Sequence, residues 1–197
     1  FRFPSFPSVS PRLRVPSFLF SGFLISLQSH YPLRVILIVM GVSGCGKTTV
    51  GSLVAQRLGW VFRDADSFHP PENIAKMSAG LPLNDQDRRP WLLAIQTFMK
   101  AENAAGRSAV IACSALKQQY RDLLLFGDPQ VRFAHLHGSR DLIAACLGER
   151  KGHFMPASLL DSQFATLEVS DDIQRFDIAA TPEAMVADII ERLRLRE

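Results

Sequence analysis

The sequence has little cysteine and no pattern of metal ligands. Its 197 residues include three cysteines, Cys45, Cys113 and Cys146, without a C-x-x-C pair or histidines at zinc-ligand spacing. This odd and scattered set does not form a disulfide framework or a zinc site, and it is typical of a reducing compartment. We therefore expect a cytoplasmic protein.

Long apolar runs and internal repeats are also missing. The apolar stretch at residues 18–25 is too short and too interrupted to span a bilayer, so we expect no membrane partner. With 47% hydrophobic and 21% charged residues, the composition is that of a globular protein. The length fits one domain with a sizeable core.

Acidic residues are absent from residues 1–34, which carry four arginines. The net charge of +3 originates there, because without these four charges the remainder has a net charge of −1. An excess of positive charge that is confined to the N-terminal residues gives no reason to expect a nucleic-acid partner, and we expect none. We expect residues 1–34 to be a disordered or non-native N-terminal extension. An organellar transit peptide and a secretory signal are the alternatives.

From residue 35 onward, strand and helix patterns alternate. This alternation is typical of a parallel α/β sheet in one domain, here residues 35–197. Predicted strands cover residues 35–40, 60–63, 108–112, 131–136 and, more weakly, 176–179. Predicted helices lie at 48–58 and near 72–79, 90–104, 116–126, 139–150, 156–167 and 182–195. Thr181 followed by Pro182 is a typical N-cap and first helical position for the last helix.

The most informative motif follows the first predicted strand. Residues 41–48 fit G-x-x-x-x-G-K-[ST] and connect a β-branched apolar run to a helix, which is the context of a P-loop. Its glycines let backbone N–H groups and the helix N-terminus point at a polyphosphate. Lys47 would reach the β- and γ-phosphates, and the Thr48 hydroxyl would help to hold Mg²⁺. The predicted nucleotide-binding residues are Gly41, Val42, Ser43, Gly44, Cys45, Gly46, Lys47, Thr48 and Thr49. We therefore predict a three-layer P-loop NTPase fold of the α/β class, with a parallel five-stranded sheet.

Two carboxylates, Asp64 and Asp66, follow the second predicted strand. In an open α/β sheet, ligands bind beyond the carboxyl ends of the strands, so both side chains should face the crevice beside the P-loop. Asp64 could hold the hydration shell of Mg²⁺ near Thr48, and Asp66 could accept a proton from an attacking hydroxyl. The alternative is a helix N-cap plus a solvated acid.

Several blocks of the chain resemble the gluconokinase family. They are residues 64–77 with D-A-D-S-F-H-P-P, residues 80–92 with P-L-N-D, residues 113–122, residues 150–154 with R-K-G-H-F, and residues 163–168. The resemblance runs from residue 35 to about residue 195. It implies phosphorylation of D-gluconate to 6-phospho-D-gluconate by ATP with Mg²⁺, on a fold like that of nucleoside monophosphate kinases. Members of this family often form dimers, so the resemblance also suggests a homodimer.

A gluconate ion has a carboxylate and a row of hydroxyls, so its pocket needs cations and hydrogen-bonding side chains. Arg88, Lys117 and Arg121 are the basic candidates, and His69 could bond a hydroxyl. Lys117 and Arg121 are four apart, which would let one helical face point both at the same anion. The alternatives are a surface charge for Arg88 and a solvated face for the other two. For Trp91 we expect core packing.

A mobile lid is expected at residues 150–156, because phosphoryl transfer requires water to be excluded. Arg150 is the predicted transition-state cation there. The family often carries an arginine about four residues before R-K-G-H, where this chain has Cys146. Either Arg140 substitutes for it, or one phosphate or adenine contact is lost.

Two other functions stay open. A shikimate-type kinase or a nucleotide kinase would have the same fold. For a shikimate-type kinase, however, we expect a Gly-rich turn after the third strand. Residues 113–117 read C-S-A-L-K instead. A non-catalytic nucleotide-binding regulator should show damage at Lys47, Thr48, Asp66 or the lid, and all four are intact.

Overall fold

The computed structural model describes residues 34–148 and 157–196, and within them five strands form one sheet. The strand order is β2-β3-β1-β4-β5, and every neighbouring pair is parallel. The strands are β1 (Ile36–Met40), β2 (Val61–Asp64), β3 (Ala109–Ala112), β4 (Val131–His137) and β5 (Gln174–Asp177). The predicted parallel five-stranded sheet is confirmed. The fifth strand begins and ends two residues earlier than the predicted range 176–179, and at its end the Asp177 carboxylate accepts a hydrogen bond from Ala179 N at 2.9 Å and closes a turn.

Helices connect the strands and cover the sheet. They are α1 (Lys47–Leu58), α2 (Pro71–Ser78), α3 (Asp85–Ala104), α4 (Gln118–Leu125), α5 (Arg140–Gly148), α6 (Ala157–Thr166) and α7 (Pro182–Arg192), with a short 3-10 helix, Ala65–Phe68, after β2. The predicted N-cap of α7 is confirmed, because Thr181 Oγ1 accepts a hydrogen bond from Ala184 N at 3.3 Å.

Helix α3 begins five residues before the predicted start at position 90. Asn84 forms a capping box with Asp87: its side-chain oxygen accepts from Asp87 N at 2.9 Å, and Asp87 Oδ2 accepts from Asn84 N at 3.0 Å. Pro90, which the prediction placed at the start, lies inside the helix. The capping box sets the boundary because it satisfies two backbone donors that would otherwise be unpaired.

The sheet is the middle of three layers. Strand β1 is buried along its whole length, and its side chains alternate between two cores. Leu37 and Val39 pack on the face covered by α1 and α7, while Ile36, Ile38 and Met40 pack on the face covered by α3 and α4. This confirms the three-layer α/β prediction.

Parallel strands bring the loops that follow β1, β2 and β3 to one edge of the sheet. These loops contain the P-loop, the 3-10 helix and the turn at residues 113–117. The predicted lid at 150–156 and residues 1–33 of the predicted extension lie outside the described residues. Arg34, the last residue of that extension, donates to Asn103 O at 2.9 Å. In the part of the chain that is described, no helix is both long and apolar enough to cross a bilayer.

Candidate active site

The P-loop lies between β1 and α1, as the motif predicts. Gly46 precedes α1 with φ 89°, a conformation that glycine adopts without a steric cost. A Cβ atom at Gly41 would lie 2.5 Å from Leu136 O and 2.8 Å from Cys45 Sγ, so the strand-to-loop exit requires glycine. Lys47 Nζ donates to Val42 O at 3.0 Å. Cys45 is buried, which fits a small residue that packs beneath the loop.

Asp64 contacts the P-loop directly. Its Oδ2 accepts a hydrogen bond from Thr48 Oγ1 at 2.8 Å, and its Oδ1 accepts one from Asp66 N at 3.1 Å. Asp64 is therefore both the N-cap of the 3-10 helix and the carboxylate beside the loop threonine. The two readings of the sequence are compatible at this residue.

The donor set at Thr48 and Asp64 fits Mg²⁺. A hydroxyl and a carboxylate are hard oxygen ligands, and Mg²⁺ next to phosphates needs only one or two carboxylates. Among the described residues, no group of three or more His, Cys, Asp or Glu side chains is placed to hold a metal. A site completed by nucleotide phosphates and water is consistent with both observations.

Asp66 and His69 lie on and just after the 3-10 helix. The His69 ring stacks on Trp91, with ring centroids 4.6 Å apart and planes 10° apart. Trp91 is buried and its indole N–H donates to Ala65 O at 2.7 Å, which confirms core packing for this residue. Burial lowers the pKa of His69 below its usual 6.5, Arg88 lowers it further, and Asp66 opposes the shift. His69 is therefore neutral at pH 7, with one ring nitrogen as donor and one as acceptor.

Arg88 belongs to the same region. Its guanidinium donates to Leu83 O and lies 6.0 Å from the centroid of the Tyr120 ring. Its positive charge lowers the pKa of His69, and the negative charge of Asp66 raises it, so both charged side chains act on the same imidazole. Asn73, which is buried, supports this region through a hydrogen bond from Nδ2 to Asp87 O at 2.8 Å.

Lys117 is paired with an acid that the sequence did not indicate as functional. Its Nζ donates to both carboxylate oxygens of Asp85, at 2.7 Å and 2.9 Å. Tyr120 OH and Gln119 also donate to Asp85. The hydrogen bond from Lys117 is the main reason that the pKa of Asp85 falls to about 2. The only signal for Asp85 in the sequence was its place in the P-L-N-D block.

The expectation that Lys117 and Arg121 point at one anion is wrong. Lys117 precedes α4 as its N-cap residue, whereas Arg121 lies inside α4 and is 1% exposed. Arg121 donates to Ala115 O at 3.0 Å, Leu116 O at 2.9 Å, Gln118 Oε1 at 2.6 Å and Glu168 O at 2.8 Å. Its guanidinium supports the turn between β3 and α4, and this placement does not support the substrate-binding role predicted for Arg121.

Arg140 is also occupied. Its guanidinium donates to both carboxylate oxygens of Asp161, at 2.6 Å and 3.1 Å, and so joins α5 to α6. This placement gives no support to Arg140 as the substitute for the arginine that the family often has at position 146. Arg150, the predicted transition-state cation, lies outside the described residues.

Gln163 on α6 is a further residue at the P-loop. Its side-chain oxygen accepts from Ser43 N at 2.7 Å, and its side-chain nitrogen donates to Ser43 Oγ at 3.0 Å. In the sequence, the place of Gln163 in the block at residues 163–168 does not indicate a role for it. Proximity between residues 120 positions apart has no signal in a single sequence.

The parallel sheet with a P-loop after β1 and paired acids after β2 defines the class of P-loop kinases. A family model described as shikimate kinase matches residues 43–191. A probable gluconokinase of Xenopus tropicalis is 51% identical over 156 residues, covering 72% of this chain and 82% of the relative. The gluconokinase of Gluconobacter oxydans is 45% identical over 164 residues, covering 82% and 92%.

A solved structure agrees with these relatives. The crystal structure of a gluconokinase from Sinorhizobium meliloti matches with a TM-score of 0.71 and 41% identity, covering 82% of this chain and 97% of that one. The chain belongs to the gluconokinase family. The resemblance read from its sequence blocks is confirmed.

Proposed function

We propose that this protein transfers the γ-phosphoryl group of ATP to the C6 hydroxyl of D-gluconate, with 6-phospho-D-gluconate and ADP as products. One observation carries the proposal: the 2.8 Å hydrogen bond from Thr48 to Asp64 joins the P-loop to the short helix that presents Asp66. D-gluconate is proposed as the acceptor because the similar proteins of Xenopus tropicalis and Gluconobacter oxydans, 51% and 45% identical to this chain, are a probable gluconokinase and a gluconokinase.

On the nucleotide side, the loop N–H groups and Lys47 bind the phosphates. Lys47 would exchange its present acceptor, Val42 O, for phosphate oxygens. Thr48 and Asp64 would hold Mg²⁺, directly or through its water shell. Bound there, the ion would offset the negative charge of the phosphates.

On the acceptor side, Asp66 accepts the proton of the C6 hydroxyl as the oxygen attacks the γ-phosphorus. The bond from that phosphorus to the β,γ-bridging oxygen then breaks, and ADP leaves. Neutral His69 bonds a hydroxyl of the sugar chain. Arg88 binds the gluconate carboxylate, because a guanidinium matches a carboxylate with two parallel N–H donors.

Lys117 has a different place in this proposal. Asp85 already compensates its charge, so Lys117 contributes an N–H donor to a hydroxyl and is a poor partner for the carboxylate. Arg150 stays a prediction for the cation that offsets charge in the transition state. A cytoplasmic location, a homodimer and the absence of nucleic-acid partners also stay predictions.

An acceptor panel tests the proposal. Purified protein with ATP and Mg²⁺ is supplied separately with D-gluconate, shikimate and nucleoside monophosphates, and ADP release is measured by a coupled assay. A Lys47→Met variant sets the background, because it lacks the phosphate-binding amine. We expect gluconate alone to raise ADP release above that background. Stimulation by shikimate or a nucleotide instead would favour the other kinases, and ATP binding without any turnover would favour a regulator.

A further inference from the structure

Gln163 makes a two-point contact with the P-loop that none of the proposed catalytic roles includes. Its amide oxygen accepts from the backbone N–H of Ser43, and its amide nitrogen donates to the hydroxyl of the same residue. A two-point contact fixes orientation as well as distance. The reversed amide would place two donors face to face at Ser43 N, so the hydrogen bonds determine which way the side chain points.

The peptide bond between Val42 and Ser43 is held at both of its polar ends. Its carbonyl, Val42 O, accepts from Lys47 Nζ at 3.0 Å, and its N–H donates to Gln163 at 2.7 Å. The loop around this peptide has little stiffness of its own, because Gly41, Gly44 and Gly46 all adopt positive φ. External contacts must therefore fix the loop before phosphates bind.

Gln163 is itself on a well-anchored helix. Leu160, one turn earlier in α6, is buried in the core on the α1 and α7 face. Just beyond the helix, Glu168 N donates to Leu116 O at 2.9 Å, and Glu168 O accepts from Arg121 at 2.8 Å. These contacts attach α6 to the body of the protein on both sides of Gln163, so the helix can impose a position on the loop.

We propose that Gln163 is a positioning residue that holds the Val42–Ser43 peptide, so that the following N–H groups of the loop are arranged for phosphate before ATP arrives. Gln163 acts through Ser43 and does not touch the reacting atoms. Without it, part of the binding energy of ATP would be spent on ordering the loop. This inference rests on the proposed function only in taking ATP as the nucleotide.

The test compares Gln163→Met with wild type by direct titration of ATP in the absence of any acceptor. Methionine has a similar length and no amide. We expect the Kd for ATP to rise about tenfold, which matches the loss of two ordinary hydrogen bonds. In turnover assays, KM for ATP should rise in parallel, while kcat and KM for gluconate at saturating ATP stay within about twofold.

Two further variants separate positioning from general stability. Thr166→Val changes the same helix one turn away, where the hydroxyl donates to Ser162 O at 2.7 Å, and its ATP affinity should equal that of wild type. Ser43→Ala removes one of the two hydrogen bonds and should weaken ATP about threefold. Because both substitutions act on one contact, the double variant should be no weaker than Gln163→Met alone.

The proposal is overturned if Gln163→Met binds ATP within twofold of wild type, or if the two single effects add in the double variant. Wild-type affinity in Ser43→Ala would overturn it as well, and that variant decides the matter if Gln163→Met does not fold. Since ATP binding is measured without an acceptor, a protein that ignored gluconate would refute the proposed function and leave this result intact.

Discussion

Asp64 and Asp66 are two positions apart and have different neighbours. Asp64 accepts hydrogen bonds from Thr48 and from Asp66 N, so its carboxylate is bound to the nucleotide loop. Asp66 acts electrostatically on His69, beside the stacked Trp91. These different neighbours are consistent with the proposed division of roles, in which Asp64 holds the metal and Asp66 accepts the proton.

Asp66→Asn removes the proposed base with almost no change in shape. We expect kcat with gluconate to fall at least about 100-fold, because general-base catalysis typically contributes a factor of that size or more. KM and Kd for ATP should stay within about twofold, because the phosphates are bound by the loop. Steady-state kinetics and nucleotide titration measure the two effects separately.

A matched control is Asp188→Asn, which makes the same charge change at an exposed ion pair with Arg192 on α7. Its kcat should equal that of wild type. Unchanged turnover in Asp66→Asn would refute the base role. A large loss of ATP affinity would instead assign Asp66 to the nucleotide or its metal.

Much of the site at this scale could be predicted, because a P-loop and two acids after a strand are local patterns with a known geometry. Arg121 could not. A charged residue on a short amphipathic helix is most often exposed. The acceptors that bury Arg121 are backbone carbonyls of a neighbouring turn and of residue 168, and no local pattern indicates them.

Among the elements, the turn between β3 and α4 has an unusual backbone. Ala115 adopts φ 43°, a left-handed conformation that costs a non-glycine residue roughly 1–2 kcal/mol. Arg121 donates to the carbonyls of Ala115 and Leu116 and so holds this turn in place. Gly41 N donates to Ser114 O at 3.3 Å, which links the turn to the start of the P-loop.

Arg121→Met should therefore destabilise the protein. It removes the donor to the carbonyl oxygen of buried Ala115 and three further hydrogen bonds of the guanidinium, and we expect the free energy of unfolding to fall by about 2–4 kcal/mol. Urea denaturation followed by circular dichroism measures the change. Adding Ala115→Gly should recover part of the loss, because glycine adopts the left-handed conformation without strain.

The matched control is Arg140→Met, which breaks an exposed pair with Asp161 and should cost no more than about 1 kcal/mol. Equal losses for Arg121→Met and Arg140→Met would contradict the structural role of Arg121. They would also favour a substrate-binding role for Arg121.

Elements were predicted well where side-chain patterns determine them. Strand β1 is a run of branched apolar residues buried on both faces, which is typical of a central parallel strand. The predicted start of α3 at position 90 is wrong: proline is common at the first helical position, but Pro90 lies inside this helix. Asn84 and Asp87 determine the start by hydrogen bonding, and their spacing was visible in the sequence.

The central sheet of the molecule contains a buried histidine. His135 on β4 is 4% exposed, and burial is the main reason that its pKa falls to about 4. Arg175, His137 and Arg121 lower the pKa further. The reason for this burial is tertiary, since β4 lies between β1 and β5, and the sequence pattern alone did not identify His135.

This histidine makes stability depend on pH. Its folded pKa of about 4 lies below the ordinary value of 6.5, so between these values the unfolded chain binds more protons than the folded one. The stabilisation is fully present above pH 6.5 and is lost progressively as the pH falls from 6.5 to 4. We expect the free energy of unfolding to fall by on the order of 3 kcal/mol over this window from His135 alone.

Urea denaturation at several pH values between 7 and 4 measures the slope of the free energy of unfolding against pH. A His135→Leu variant should show a smaller slope, because it has no group to protonate. His137→Gln is the comparison variant on the same strand. Burial lowers the pKa of His137 as well, but this side chain is only half-buried, so we expect the larger decrease in slope for His135→Leu. A wild-type slope in His135→Leu would contradict the assignment.

The central claim is the transfer of a phosphoryl group to the terminal hydroxyl of an aldonic acid. The most direct measurement is a ³¹P–¹H correlation spectrum of the product formed from ATP and D-gluconate by the purified protein. We predict a single monoester whose phosphorus couples to the two protons on C6, together with an equal amount of ADP. A phosphorus coupled to any other position, or ADP formed with free phosphate and no ester, would contradict the account.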